Sequence, residues 1–428
     1  MVFEDGARDD RGMDTEPART THSAALLLDY GDRLIVGTVR DMHRAIARRA
    51  FLPGRVVGLT APETVHDTIA SAVYGAISGT FRLSSAAARK LAARGVGAPL
   101  EQGPRGRRMV AAVNGLIGDR LRMDDDPQAI TMTIRVDGRD VAPERFPLQQ
   151  AFRGTGGHLV VFLHGLCEND ESWQIRARKV GSTYPERIAR ETDGTPLLIR
   201  YNTGLHVSEN GAHLATLLSQ VIAAWPVPVT RVTLIGHSMG GLVARAATNH
   251  ATSLNQVWPH LVKNVICLGT PHTGALLEKV AHLGSRALRT WPQSSPLGGI
   301  LDVRSAGILD LRHGYISRDE WSGQDLTAQW GLDRIAAAPL PRAEYHFVAA
   351  TLGPSRHNPL GDLLVDYKSA TGTHRSGSIV EGAEHRYVPS VDHFALLNHP
   401  EVGDSIVGWL NARGGNVAAL TTGPQVCP

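Results

Sequence analysis

Hydrophobic and polar positions divide this chain into stretches with different periods. Residues 1–22 hold few apolar side chains among Asp, Arg and Glu, too few to offset the entropy of ordering, and read as a disordered tail. From residue 23 to 125 apolar positions recur at helical spacing, over residues 36–51, 62–77, 84–94 and 107–121, with Gly and Pro breaks between them. Val65, Ile69, Val73 and Ile77 share one face behind an N-cap-like Thr60-Ala61-Pro62-Glu63. Such a face ordinarily packs against protein, so this helical accessory region is expected to dock on the rest of the chain or on a second copy.

The period then changes. Residues 130–136 alternate as a strand into an Asp137-Gly138 turn, and short apolar runs follow at 158–163, 196–201, 231–235, 264–268, 345–350 and 384–388. Helical stretches fall between them: one opens at Tyr184-Pro185-Glu186, and another, residues 207–225, carries Leu214, Leu217, Leu218, Val221 and Ile222. Runs this apolar, alternating with helices, predict a mainly parallel sheet covered on both faces. A last helix is expected after Asn398 as cap and Pro400 near its first turn, with Val402, Ile406, Trp409 and Leu410 as its stripe and Gly414-Gly415 as its stop. Residues 275–342 show no strand pattern, only short amphipathic pieces such as 300–311, and read as a lid-like insertion. The α/β unit thus runs over residues 126–415, with a tail at 416–428.

Candidate chemistry sharpens that picture at Val232-Thr233-Leu234-Ile235-Gly236-His237-Ser238-Met239-Gly240-Gly241. An apolar strand ends in Gly-x-Ser-x-Gly and continues as a good helix former, the strand–turn–helix context of a nucleophile elbow in an α/β-hydrolase fold. Gly236 and Gly240 leave room for the sharp turn that lifts Ser238 above the sheet. The turn also aims the N–H of Met239 at the place where an oxyanion would form.

A serine hydroxyl needs a base, and the base needs an orienting acid, in the chain order Ser, acid, His. The strand at 345–350 leads to Gly361-Asp362-Leu363, and the last strand leads to Asp392-His393-Phe394. Asp362 is therefore the expected acid and His393 the expected base, with Asp366 a rival for the first role and His399, His385 and His357 for the second. The run at 158–163 enters His164-Gly165-Leu166-Cys167-Glu168-Asn169, where Gly165 lets the backbone turn and the N–H of Leu166 can serve as second oxyanion donor. His164 is expected to shape this loop, and Cys167 to be a packed thiol, since nothing places a base beside it.

Composition excludes more than it adds. Lys and Arg number 44 against 41 Asp and Glu, and the net charge of +3 is spread along the chain, so no nucleic-acid partner is expected. The 3 cysteines match no zinc or redox spacing, and neither a phosphate-binding Gly-x-x-x-x-Gly-Lys loop nor a His-Glu-x-x-His helix occurs, so no cofactor or metal is expected. No window reaches 18 uninterrupted apolar residues and the first 21 lack a leader's apolar core, which makes cytoplasmic residence the expectation, compatible with a peripheral membrane contact. Oligomeric state is not fixed by the sequence.

Taken together, the loop at 164–169 with Trp173, the Gly236–Gly241 elbow, Gly269-Thr270-Pro271-His272-Thr273-Gly274, Gly361-Asp362-Leu363-Leu364-Val365 and His393-Phe394-Ala395-Leu396-Leu397 resemble the lipase/esterase α/β hydrolases related to the PGAP1-like group. The resemblance spans residues 156–410 and leaves the helical N-terminal region unexplained. It implies hydrolysis of carboxylic esters, often of lipids, without a cofactor, with Ser238, Asp362 and His393 as nucleophile, acid and base. An acyltransferase using the same acyl-enzyme, and a non-catalytic scaffold or lipid-surface binding protein, are the alternatives.

Overall fold

The computed structural model describes residues 103–275, 305–322, 338–359, 361–374 and 377–412, with isolated positions between 83 and 90. Expected helices before residue 84, most of the one at 84–94, residues 276–304 and 323–337 of the 275–342 insertion, the Gly414-Gly415 stop and both tails lie outside these residues.

Eight strands form one sheet: β1 (Thr133–Val136), β2 (Arg139–Val141), β3 (His158–Leu163), β4 (Gly194–Arg200), β5 (Arg231–His237), β6 (Val262–Leu268), β7 (Glu344–Thr351) and β10 (Glu384–Pro389). Two-residue strands β8 (Thr373–His374) and β9 (Gly377–Ser378) make a separate ladder. The order across the sheet is β10-β7-β6-β5-β3-β4-β1-β2, with β1 antiparallel to both its neighbours and every pairing from β4 to β10 parallel. Asp137 and Gly138 both take positive φ, 51° and 74°, the backbone that a two-residue hairpin between right-twisting strands requires.

Among the described residues, helices of seven residues or more are α1 (Pro104–Met123), α2 (Arg145–Ala151), α3 (Tyr184–Glu191), α4 (Val207–Ala224), α5 (Met239–Ser253), α6 (Ala306–His313) and α7 (Pro400–Asn411). Alternation along the buried strands explains why both sheet faces are covered. On β3, Leu159, Val161 and Leu163 join the core beneath α4 and α5, while Val160 and Phe162 join the core beneath α3 and α7. Central strands β3, β5 and β6 are thereby held from both sides, and the loops at their C-terminal ends are fixed in place.

Helix α1 is part of this body. Its Gly115 lies so close to the loop after β3 that a Cβ there would meet Cys167 Sγ at 2.3 Å, and Gly118 stands as close to Asn202. Ser305 Oγ donates to the Gly115 carbonyl at 2.7 Å and Asn202 Nδ2 to that of Gly118 at 2.9 Å. The last stretch of the accessory region thus packs across the strand ends that carry the site.

The final helix departs from expectation at its start. His399, not Asn398, is the N-cap residue and gives no side-chain cap, with Pro400 opening the helix. Asn398 is used across the fold instead: its Oδ1 accepts from Tyr184 N at 2.7 Å, and its Nδ2 donates to the carbonyls of Trp173 and Ile175. Three tertiary bonds, two of them buried, outweigh one local cap.

Candidate active site

Ser238 sits between β5 and α5 with φ 53° and ψ −121°, a conformation that costs a residue with a Cβ about 1–3 kcal/mol and is held by its surroundings. Its N–H donates to the Leu268 carbonyl at the end of β6, at 2.8 Å, and its carbonyl accepts from Gly241 N. The glycines around it are needed for space. A Cβ on Gly236 would lie 2.2 Å from Gly241 N, and one on Gly240 would lie 2.2 Å from the Leu163 carbonyl oxygen and 2.8 Å from that of His164. These contacts are backbone and cannot rotate away. Gly240→Ala should therefore push α5 off β3 and lower stability by about 3 kcal/mol, read as a shifted midpoint in denaturant unfolding; an unchanged midpoint would contradict the close packing described here.

Asp362 and His393 come from the loops after β7 and β10 and meet in the interior, 0 % and 1 % exposed. His393 Nδ1 donates to Asp362 Oδ2 at 2.8 Å, while Asp362 Oδ1 accepts from the N–H groups of Leu364 and Val365 at 3.0 and 2.8 Å. Backbone bonds lock the two loops, with His393 N donating to the Asp362 carbonyl and Asp362 N to that of Val365. An ionised carboxylate only accepts, so this contact places the His393 proton on Nδ1 and leaves Nε2 free to accept. Among the described residues the buried Nε2 has no hydrogen-bond partner and the Ser238 hydroxyl makes no hydrogen bond, so His393 and Ser238 are not joined by one here. Both lie against the end of β6: a Cβ on Gly269 would be 3.2 Å from His393 Cε1, and Gly269 follows the Leu268 that holds Ser238.

The neighbouring acids Asp366 and Asp392 are engaged in local caps. Asp366 caps the short helix Tyr367–Ala370 through Ser369 N, and Asp392 bonds Ala395 N. His385 and His357 are exposed, and His399 begins α7.

The loop after β3 is built from the inside out. His164 is buried and stacks on Tyr201 at 4.3 Å; its Nδ1 bonds the Gly165 carbonyl and its Nε2 accepts from Tyr201 N. Burial pushes its pKa down, in keeping with a neutral ring that shapes the loop. Cys167 takes φ 60°, and burial raises its thiol pKa to about 11, which suits a packed thiol rather than a thiolate. Leu166 N–H meets no protein acceptor among the described residues. Met239 is the first residue of α5, where an N–H has no partner within the helix.

One pair at this site was not anticipated from sequence. Glu168 Oε2 accepts from Gly165 N at 2.7 Å and bonds His237 Nδ1 at 3.3 Å, while His237 Nε2 faces the His393 carbonyl at 3.2 Å. Burial by itself would raise the Glu168 carboxyl, but the His237 charge and the hydrogen bonds from His237 and Gly165 outweigh it and hold the pKa at about 2. Burial would likewise lower His237, and the Glu168 charge and hydrogen bond outweigh it to raise that pKa. The only sequence signal is position, since each residue lies inside a motif already singled out for another member.

An elbow serine at the end of a central parallel strand, within this strand order, defines an α/β-hydrolase fold. Residues 155–332 match the model of the PGAP1-like alpha/beta domain family, which takes in the loop after β3 and the elbow. A triacylglycerol lipase from Pseudarthrobacter phenanthrenivorans is 31% identical over 198 residues, 45% of this chain and 55% of that protein. Another, from Burkholderia plantarii, is 31% identical over 198 residues, 45% of this chain and 49% of that protein. The chain thus spans about half the length of the curated relatives it matches. A thermophilic esterase from Thermogutta terrifontis is similar at 14% identity, covering 60% of this chain and 90% of that one with a TM-score of 0.35. Among the described residues, no helix is long and apolar enough to cross a membrane, and no group of three or more His, Cys, Asp or Glu is placed to hold a metal ion.

Proposed function

We propose that this chain hydrolyses carboxylic esters through an acyl-enzyme on Ser238. The observation that carries the reading is the strained elbow serine set beside a buried His393–Asp362 pair, the three in the chain order this chemistry uses. Ser238 Oγ attacks the ester carbonyl and passes its proton to His393 Nε2, with Asp362 orienting the imidazolium and the N–H groups of Leu166 and Met239 receiving the oxyanion. Collapse breaks the bond to the alcohol, which leaves with the proton from His393. Water then repeats the sequence on the acyl-enzyme and releases the acid. His164, Gly165, Gly236 and Gly240 hold the shape of the two donor loops.

Apolar acyl groups are the substrates this surface favours. Leu363 and Phe394, 53 % and 49 % exposed, follow directly on Asp362 and His393 and set large apolar side chains beside the reacting groups. The two similar triacylglycerol lipases point to the same substrate class. An aryl-ester chain-length series should give kcat/KM rising from acetyl to longer acyl groups, and glycerol added as acceptor should leave the free acid as the main product. A flat series would contradict the lipid-ester assignment, and transfer to glycerol as the main course would make the chain an acyltransferase.

A further inference from the structure

We propose that Glu168 and His237 form a charged positioning pair that holds the oxyanion loop and the base loop in register with the elbow. The proposal rests on the reading of Ser238 as nucleophile and adds two residues to it. Its geometry, with Glu168 held ionised by the charge and hydrogen bonds around it, sets the protonation of His237. A carboxylate and a backbone carbonyl can only accept hydrogen bonds, and His237 faces one with each ring nitrogen, at 3.3 Å to Glu168 Oε2 and 3.2 Å to the His393 carbonyl. Against an ionised Glu168, both contacts together require an imidazolium.

Three segments converge on that cation. Glu168 Oε2 also accepts from Gly165 N, closing the turn in which Glu168 N donates to the Gly165 carbonyl and from which the Leu166 N–H projects. His237 is the last residue of β5 and precedes Ser238. Its other nitrogen holds the backbone of His393, whose ring lies 4.8 Å away, centroid to centroid. With His237 fully buried and Glu168 nearly so, the charges have little water to turn to and depend on each other. Glu168 has a second use, because His393 becomes an imidazolium during turnover and a lone cation at His237 would oppose that; the carboxylate makes the pair neutral.

The direction of the pH effect follows. His237 has a raised pKa, so its contribution is complete below about 6.5 and is lost as pH rises through the folded value; Glu168 contributes above about 4.5 and is lost only as pH falls toward about 2. The other ionisable groups around the pair are His164, Cys167 and Tyr201 near Glu168, and Asp362 and His393 near His237. Glu168→Gln keeps the shape and an acceptor but removes the charge that favours the imidazolium. Its His237 should lose a proton at lower pH, and one of the two contacts with it.

The test is kcat and KM for a soluble aryl ester from pH 6 to 9, for wild type, Glu168→Gln and His237→Gln, with fluorophosphonate labelling of Ser238 in the same samples. The Glu168→Gln to wild-type ratio of kcat should fall steadily with pH and reach a loss of about ten- to a hundredfold near pH 8, with KM little changed. His237→Gln can still donate to the His393 carbonyl but has no proton to lose, so its profile should lack the alkaline limb. A Glu168→Gln ratio that is constant with pH overturns the proposal; if that variant does not fold, a His237→Gln profile parallel to wild type overturns it. Wild type that neither labels at Ser238 nor turns over the ester defeats the Ser238 reading instead, so the two failures are distinguishable.

Discussion

Ser238→Ala should lower ester turnover by about 10⁶-fold while leaving the fold as it is, because in the proposed reaction the hydroxyl is the attacking group and the remaining groups act only through it. Alanine has the same Cβ that serine already holds at φ 53°, and the serine hydroxyl makes no hydrogen bond among the described residues, so the substitution adds no backbone strain and breaks no hydrogen bond there. The residual rate is what the oxyanion donors and substrate binding provide alone. Equal unfolding midpoints with a rate lost to that extent would place the defect in chemistry. A variant that keeps a tenth of the wild-type rate would remove Ser238 from the mechanism.

Asp362→Asn should cost about 10⁴-fold in kcat through the tautomer of His393. Asn keeps an acceptor for the N–H groups of Leu364 and Val365, which hold Oδ1 at 3.0 and 2.8 Å, and so presents its amide NH₂ to His393 Nδ1. That nitrogen must then accept, the ring proton moves to Nε2, and the base can no longer take the serine proton. Asp366→Asn is the internal comparison: Asp366 caps a four-residue helix through Ser369 N, a role Asn performs about equally well, and its kcat should stay close to wild type. Loss of activity in the Asp366 variant with a fully active Asp362 variant would exchange the two roles.

The strands and the elbow turn could be read from the chain because their grammar is local. Central strands are apolar on both faces, so β3, with Leu159, Val161 and Leu163 toward one core and Val160 and Phe162 toward the other, stands out as an unbroken run. Strands β4 and β5 extend beyond their apolar runs, to Gly194 and Thr195 at one end and to Gly236 and His237 at the other, because ladder bonds continue where hydropathy falls. The elbow is legible for the same local reason, as its glycines mark a turn that tolerates no Cβ.

What stayed hidden depends on distance along the chain. Asn398 looks like a helix cap until Tyr184, Trp173 and Ile175, more than 200 positions away, claim its side chain. Glu168 and His237 are 69 positions apart, and nothing in either motif says that the parallel pairing of β3 with β5 brings them together. Gly115 and Gly118 read as ordinary helix residues in an accessory region, yet their missing side chains are what let α1 lie on Cys167 and Asn202.

The most direct measurement of the central claim is intact-mass and peptide mapping of the wild-type chain after reaction with a fluorophosphonate. The account predicts one adduct per chain, on the peptide carrying Ser238, formed at a rate that falls in the Asp362→Asn variant, with ester turnover lost in step. Full ester hydrolysis by a chain that remains unlabelled, or an adduct confined to another residue, would contradict it.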